Sequence, residues 1–308
     1  MQPAPPVAPP RAAVCGMATS AQGGRCCGCL AAALAAVVLA FGVGPAWVGF
    51  GVFLLRPFGR IRMWLRRLLF GPECLYIDEG GVGHSMSRPP PKANGVVRCV
   101  CVSDTHLMHR VVKLPAGDVL LHAGDLLQAS RGADWPSLAR LADVAAWLKG
   151  LPFEHKVIIA GSHDAAVEAL GADEVRRRLP GVSYLEDSEV EVAGLRIHGS
   201  PLSLGKSRNK AFQQQGGYDE DSAIARIPAD LDILLTHGPP RLPALQDKVS
   251  STRPRYHIWG HNHLGYGLKS NGIAEGAHPA TIAINVSSSD RLFSASHPPV
   301  VVDIRPRG

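Results

Sequence analysis

Residues 96–106 read VVRCVCVSDTH. A β-branched run that stops abruptly at Asp-Thr-His is the signature of a buried strand ending in a polar cluster. Seven more runs of this kind follow, at Asp118–Ala123, Lys156–Ala160, Glu189–His198, Leu231–Thr236, Tyr256–Trp259, Thr281–Val286 and Pro299–Ile304. Between the second and third, Asp134 can cap a helix with Pro136 in its first turn. Leu138, Leu141, Ala145 and Leu148 form its apolar face before Gly150. Strands separated by helical stretches predict an α/β domain with an at least partly parallel sheet.

The polar clusters recur where these strands end. Asp104-Thr105-His106 closes the first and Gly124-Asp125 the second. Gly161-Ser162-His163-Asp164 closes the third. Later strands end in Thr236-His237-Gly238-Pro239-Pro240 and Gly260-His261-Asn262-His263. In open α/β sheets ligands bind beyond the carboxyl ends of the strands. A buried gathering of carboxylates and imidazoles is costly unless it holds metal. Each motif alone means little, but the ordered set, each member after a β run, is a poor match to chance.

This ordered set resembles the calcineurin-like metallophosphoesterase superfamily, and within it the small metallophosphoesterase-domain proteins related to cyclic nucleotide phosphodiesterases. The resemblance rests on VSDTH (102–106), LLHAGDL (120–126), LPFEHKVIIAGSHD (151–164), RIHGSPLS (196–203), DILLTHGPP (232–240), HIWGHNHLGYG (257–267) and HPPVVVDI (297–304). It implies a four-layer α/β/β/α sandwich with a dinuclear site at one end. It also implies that Asp104, His106 and His263 bind one metal, that His237 and His261 bind the other, and that Asp125 bridges them. His163 would stabilise the transition state or protonate the leaving oxygen, with Asp164 orienting it. One departure stands out: Ser162 occupies the place of an Asn whose carbonyl ligates the second metal in the superfamily, so that site should be weaker.

The residue types suit these roles. A carboxylate has two oxygens and can bridge two cations about 3.5–4 Å apart. Nitrogen and oxygen donors without thiolate suit Mn, Fe or Zn. The expected substrate is a phosphate ester, with a phosphodiester such as a 3′,5′-cyclic nucleotide foremost. A phosphomonoesterase or protein phosphatase would use the same ligands, and a membrane-tethered scaffold with a decayed second site is the non-enzymatic alternative. His122 and His198 sit inside apolar runs and read as hydrogen-bonded structural histidines. Arg208 and Lys210 read as a solvated loop, and Asn285 as a support for the site.

The remainder of the chain differs in character. The net charge of +6 is confined to the N-terminus, because residues 1–72 carry seven arginines and no acid. Residues 73–308 carry 25 basic and 26 acidic side chains. That balance, with no basic stripe interleaved with aromatics, argues against nucleic acid as a partner. Residues 1–29 read as a disordered leader rich in Pro, Ala, Gly and Cys. Residues 30–55 are uncharged and would form a helix of about 39 Å, against a hydrocarbon core of about 30 Å. They read as a membrane-spanning or cleaved targeting segment. Residues 56–95 read as a basic amphipathic stretch and a linker, and the domain as 96–308. Two arginines precede the hydrophobic segment and five follow it, which would place the domain in the cytoplasm, with residues 30–70 meeting the membrane. Cleavage would instead give an organellar or secreted chain. Cys99 and Cys101, two apart on one strand, point the same way and read as free thiols.

Overall fold

The computed structural model of the protein describes residues 74–128, 132–204, 209–269 and 281–307. The hydrophobic segment expected at 30–55 and the basic residues after it lie outside that set. Among the described residues no helix is long and apolar enough to cross a membrane.

The first strand, β1 (Cys74–Ile77), pairs antiparallel with β2 (Gly83–Met86). Both lie in the stretch 56–95 read as a basic amphipathic segment and linker, and both are paired strands of a sheet. β2 is a short, largely exposed edge strand of polar composition, so it carries no hydrophobic alternation to betray it. Its turn is held by Asp78, whose side chain accepts the Val82 N–H at 2.9 Å.

The chain continues through β3 (Val97–Val102), β4 (Val119–Ala123), α1 (Trp135–Lys149) and β5 (His155–Ile159). The short helices α2 (Ala165–Leu170) and α3 (Ala172–Arg178) lead to β6 (Ser183–Tyr184). In α1, Asp134 accepts the Ser137 N–H at 2.9 Å, the expected cap. The buried stripe is Ser137, Leu141, Val144, Trp147 and Leu148. Leu138 and Ala145, expected on the apolar face, are only partly buried at the edge of this stripe.

The run expected as one strand over Glu189–His198 is a hairpin, β7 (Ser188–Val192) and β8 (Leu195–Ser200), paired antiparallel. Its two turn residues, Ala193 and Gly194, both have positive φ, 51° and 74°. A two-residue turn of that hand matches the twist of its strands. An Ala-Gly pair lacks the Asn-Gly or Asp-Gly signature that would mark it in sequence. Then come α4 (Glu220–Ala225), β9 (Ile233–Thr236), α5 (Pro243–Thr252), β10 (Tyr256–Trp259), β11 (Gly267–Lys269), β12 (Ile282–Asn285) and β13 (Val300–Ile304).

These strands make two mixed sheets. One has the order β2-β1-β13-β3-β4-β5-β6 and the other β11-β12-β10-β9-β8-β7. Strand alternation assigns the layers. In β3, Cys99 and Cys101 join Leu121, Ile159, Ile197 and Ile258 in a core between the sheets. Val100 and Val102 face the other way, onto Leu141, Val144 and Leu148 of α1. On the second sheet Leu234 packs outward against Ile224 of α4 and Leu245 of α5. Burying each such aliphatic side chain contributes about 1.5–3 kcal/mol. The expected α/β fold is therefore present as two mixed sheets with flanking helices. Cys74, Cys99 and Cys101 are free thiols, all buried.

Parallel β3, β4 and β5 in the first sheet and β9, β10 and β12 in the second bring their carboxyl ends to one edge of the sandwich. There Ser103 bridges to Ser287 across the two sheets, and the Ser288 N–H donates to the Ser103 carbonyl at 2.9 Å.

Candidate metal centre

Four of the expected ligands sit in left-handed backbone conformations: Asp104 (φ 52°), His106 (42°), Asp125 (55°) and His261 (61°). Such conformations cost about 1–3 kcal/mol each and persist where the surroundings dictate them. Here each one lets the chain turn sharply off its strand, so the next side chains cap the sheet edge. The loops also approach very closely. A Cβ on Gly161 would lie 2.5 Å from Asp125 Oδ1 and 2.6 Å from two atoms of the His237 ring. A Cβ on Gly260 would overlap Ser103 and Asp104.

The side chains converge in two adjoining sets. Ligand atoms of Asp104, His106 and His263 lie within 4.8 Å of one another, as do those of Asp125, His237 and His261. A third overlapping group joins His106, Asp125 and His163. The hydrogen bonds fix the imidazole tautomers. Nδ1 of His106 donates to the Leu127 carbonyl at 3.1 Å, Nδ1 of His237 to Ala123 at 2.8 Å, and Nδ1 of His263 to Asp290 at 3.0 Å. Each ring therefore turns its Nε2 inward. The His106 and His263 Nε2 atoms lie 3.2 Å apart, and His237 Nε2 lies 3.2 Å from His261 Nδ1. A cation at each pair would take both nitrogens as ligands. Imidazoles oriented by backbone carbonyls are the usual support of metal ligands.

Electrostatics favour the ligating forms of the two carboxylates and of His106 and His261. Burial would raise the Asp104 and Asp125 carboxyls, but the surrounding imidazoles outweigh it and hold both low, hence ionised. Burial, with neighbouring His163, pushes His106 down to about 3. Burial and His237 push His261 down to about 4. Burial opposes charge on His237 too, but Asp125, 3.2 Å away, raises it to about 9. Without a cation, that imidazole takes a proton as the counter-charge to the carboxylate. The donor set and its tautomers thus fit two divalent cations, with Asp125 between the sets.

Ser162 lies at the second set, its Oγ 3.5 Å from Asp125 Oδ2 and 3.4 Å from His261 Nδ1. The His163 backbone N–H donates to Asp125 Oδ1 at 2.8 Å and fixes that carboxylate. Asp164, expected to orient His163, accepts the N–H groups of Leu126, Leu127 and Gly161 at 3.1, 2.7 and 2.9 Å. It ties the loop after β4 to the loop after β5. Burial, then the charge on Asp125, raises its carboxyl to about 7.

Two neighbours of His163 carry no sequence motif. The Asn209 amide lies 2.8 Å from His163 Nε2. The Phe293 ring packs against His106, His163 and His263 at centroid distances of 4.9, 5.6 and 5.0 Å. Its positive φ of 55° in a Ser-rich loop was the sole local oddity, and φ is not readable from sequence. Asn285 supports the site as expected, donating to the Asn262 carbonyl at 2.9 Å. His122 meets Thr105 Oγ1 at 3.1 Å. His198 departs from expectation: it is buried with neither nitrogen hydrogen-bonded, and burial lowers it. Lys210 is exposed, and Arg208 lies outside the described residues.

A pocket of about 540 Å³ opens onto the centre, with Asp125, Ser162 and His163 on its floor. Comparison with known proteins agrees with this geometry. The calcineurin-like phosphoesterase family matches residues 97–265. Metallophosphoesterase domain-containing protein 1 of Homo sapiens is 30% identical over 277 residues, covering 76% of this chain and 77% of that protein. A UPF0046 protein of Caenorhabditis elegans is 27% identical over 266 residues, covering 74% of this chain and 89% of that one. Among solved structures, a Thermus thermophilus protein matches with a TM-score of 0.43 and 13% identity, over 69% of this chain and all of that one. The chain belongs to the calcineurin-like phosphoesterase family.

Proposed function

We propose that the chain is a metal-dependent phosphodiesterase with a dinuclear centre. The observation that carries this reading is the two adjoining sets of ligand atoms, Asp104-His106-His263 and Asp125-His237-His261, beside an open pocket. Asp104, His106 and His263 would hold one cation and His237 and His261 the other, with Asp125 between them. Mn, Fe and Zn all suit these donors. When bound, the cations supply a water made acidic enough to attack near neutral pH and a clamp on the phosphoryl oxygens. The protein's own part is positional. His163, with its side chain facing the pocket, donates a proton to the departing oxygen. Asn209 sets the orientation of that ring, and Phe293 keeps water from one side of it. A 3′,5′-cyclic nucleotide is the diester that the sequence resemblance favours.

The test is hydrolysis of bis-p-nitrophenyl phosphate and p-nitrophenyl phosphate by the full-length chain with Mn²⁺, with and without chelator. Chelator-sensitive hydrolysis that favours the diester and is lost in Asp125→Asn is expected. Equal or better turnover of the monoester would shift the reading to a phosphomonoesterase. Ser162 motivates a second reading, because a hydroxyl is a weaker donor than an amide carbonyl. A folded chain that binds one cation and cleaves neither ester would establish a scaffold with a single working site.

A further inference from the structure

We propose that Arg241 and Arg291 form a second anion subsite beside the metal-ligand cluster, so that the substrate is a phosphodiester bearing a further phosphoryl group. The proposal rests on the phosphodiesterase reading of the same pocket, and replaces a plain 3′,5′-cyclic nucleotide, whose single phosphoryl group is the scissile one, with a diester that carries a second. Both arginines line that pocket together with Asp125, Ser162 and His163. Both are exposed, and among the described residues neither guanidinium has a hydrogen-bond or ion-pair partner. Several other arginines are ion-paired, Arg98 to Asp303, Arg110 to Asp143, Arg196 to Glu189 and Arg255 to Asp232, and Arg140 and Arg253, also without an ion pair among the described residues, do not line the pocket.

The backbones that carry the two arginines are held firmly. Arg241 follows Pro239-Pro240, four residues beyond His237, and its N–H donates to the Pro239 carbonyl at 2.7 Å. The Gln246 amide donates to the Pro240 carbonyl at 2.9 Å. Arg291 follows Asp290, whose carbonyl accepts His263 Nδ1. The Asp290 carboxylate in turn accepts the Leu292 and Ser294 N–H groups at 2.9 and 3.1 Å. Arg291 is thus hung from the loop whose Asp290 carbonyl holds the His263 ring, and Arg241 from the loop that carries His237. A scissile phosphate over the floor would leave these two donor forks facing the rest of the substrate. A guanidinium fork matches a phosphate's paired oxygens in charge and geometry.

The probes are thymidine 5′-(p-nitrophenyl phosphate) and the same ester carrying a 3′-phosphate, which share one leaving group. With the full-length chain and Mn²⁺, kcat/KM for the 3′-phosphorylated ester should exceed that for the plain ester by roughly tenfold or more, the scale of a charge-assisted hydrogen bond. The ratio should fall toward one in Arg241→Gln, in Arg291→Gln and most fully in the double variant. Calorimetric binding of thymidine 3′,5′-bisphosphate against thymidine 5′-monophosphate should show the same preference and the same loss, without turnover. Equal treatment of both esters by the wild type, or a preference intact in the double variant, overturns the subsite while leaving the hydrolase reading standing. Tighter binding of the bisphosphate through these arginines with neither ester cleaved supports the subsite and overturns the hydrolase reading.

Discussion

Gly161→Ala adds one methyl group at the closest approach in the centre. Its Cβ would meet Asp125 Oδ1 at 2.5 Å and the His237 ring at 2.6 Å. Relaxed contacts need about 3.5 Å, so the carboxylate or the imidazole must retreat by roughly 1 Å. Neither is loose. Asp125 Oδ1 accepts the His163 N–H at 2.8 Å, and His237 Nδ1 donates to Ala123 at 2.8 Å. Overpacking of this kind costs about 1–3 kcal/mol. Gly161 does not sit in the left-handed region, so alanine also restricts the unfolded chain and returns about 0.4–1 kcal/mol. The net loss of stability is modest, at most about 2.6 kcal/mol. The loss of function is not modest, because a displacement of about 1 Å at a reacting centre costs on the order of a hundredfold. Urea unfolding without metal, Mn²⁺ titration and diester turnover, measured side by side, should show a near-normal fold with sharply weakened metal binding and turnover. Metal affinity and turnover within twofold of wild type would refute the reasoning.

Two further outcomes are expected. Ser162→Asn extends an oxygen further into the second ligand set than the present hydroxyl, 3.4 Å from His261 Nδ1. It should tighten the weaker of two Mn²⁺ binding steps and raise turnover, and superimposable titrations of the two forms would exclude Ser162 as the limiting ligand. His257 is buried, its Nε2 meets Thr236 Oγ1 at 2.9 Å, and burial lowers it from 6.5 to about 3. A histidine with a depressed folded-state pKa contributes stability that is fully present above pH 6.5 and is lost as pH falls toward 3. Each such group steepens the loss by up to about 1.4 kcal/mol per pH unit in that window. His257→Gln keeps a donor for Thr236 and should flatten the stability profile between pH 6.5 and 4 by about one proton. An unchanged slope in urea unfolding would show that the imidazole titrates freely in the fold.

Strand cores were legible because burial on both faces leaves a continuous apolar run, as in Cys99–Val102. The ligands were legible because the chemistry demands carboxylate and imidazole at successive strand ends. What stayed hidden has physical reasons. β2 earns its place by backbone pairing alone, so its GHSM composition says nothing. The Ala193-Gly194 turn joins two alternating stretches, Val190–Val192 and Leu195–Ile197, with no polar turn residue between them. Asn209 and Phe293 reach His163 from loops 46 and 130 positions along the chain, and only the packing of two sheets brings them there. Asp164 sat in the right motif, yet its oxygens are taken by backbone amides, a partner choice that residue identity does not specify.

The parallel pairing of β1 with β13 has a practical consequence for anyone cutting the chain. A fragment beginning at residue 96, where the β-rich pattern starts, would lack both β1 and β2 and strip the flank of Val300–Ile304. Those five residues are all buried in the intact domain. Their backbone donors and acceptors would face water in a row, beside apolar side chains from both cores, which is a template for strand-to-strand self-association. Such a fragment should collect in inclusion bodies or as soluble aggregates, whereas one retaining Cys74–Met86 keeps that flank sealed. Light scattering of the two purified from the same host would tell them apart before any activity is measured.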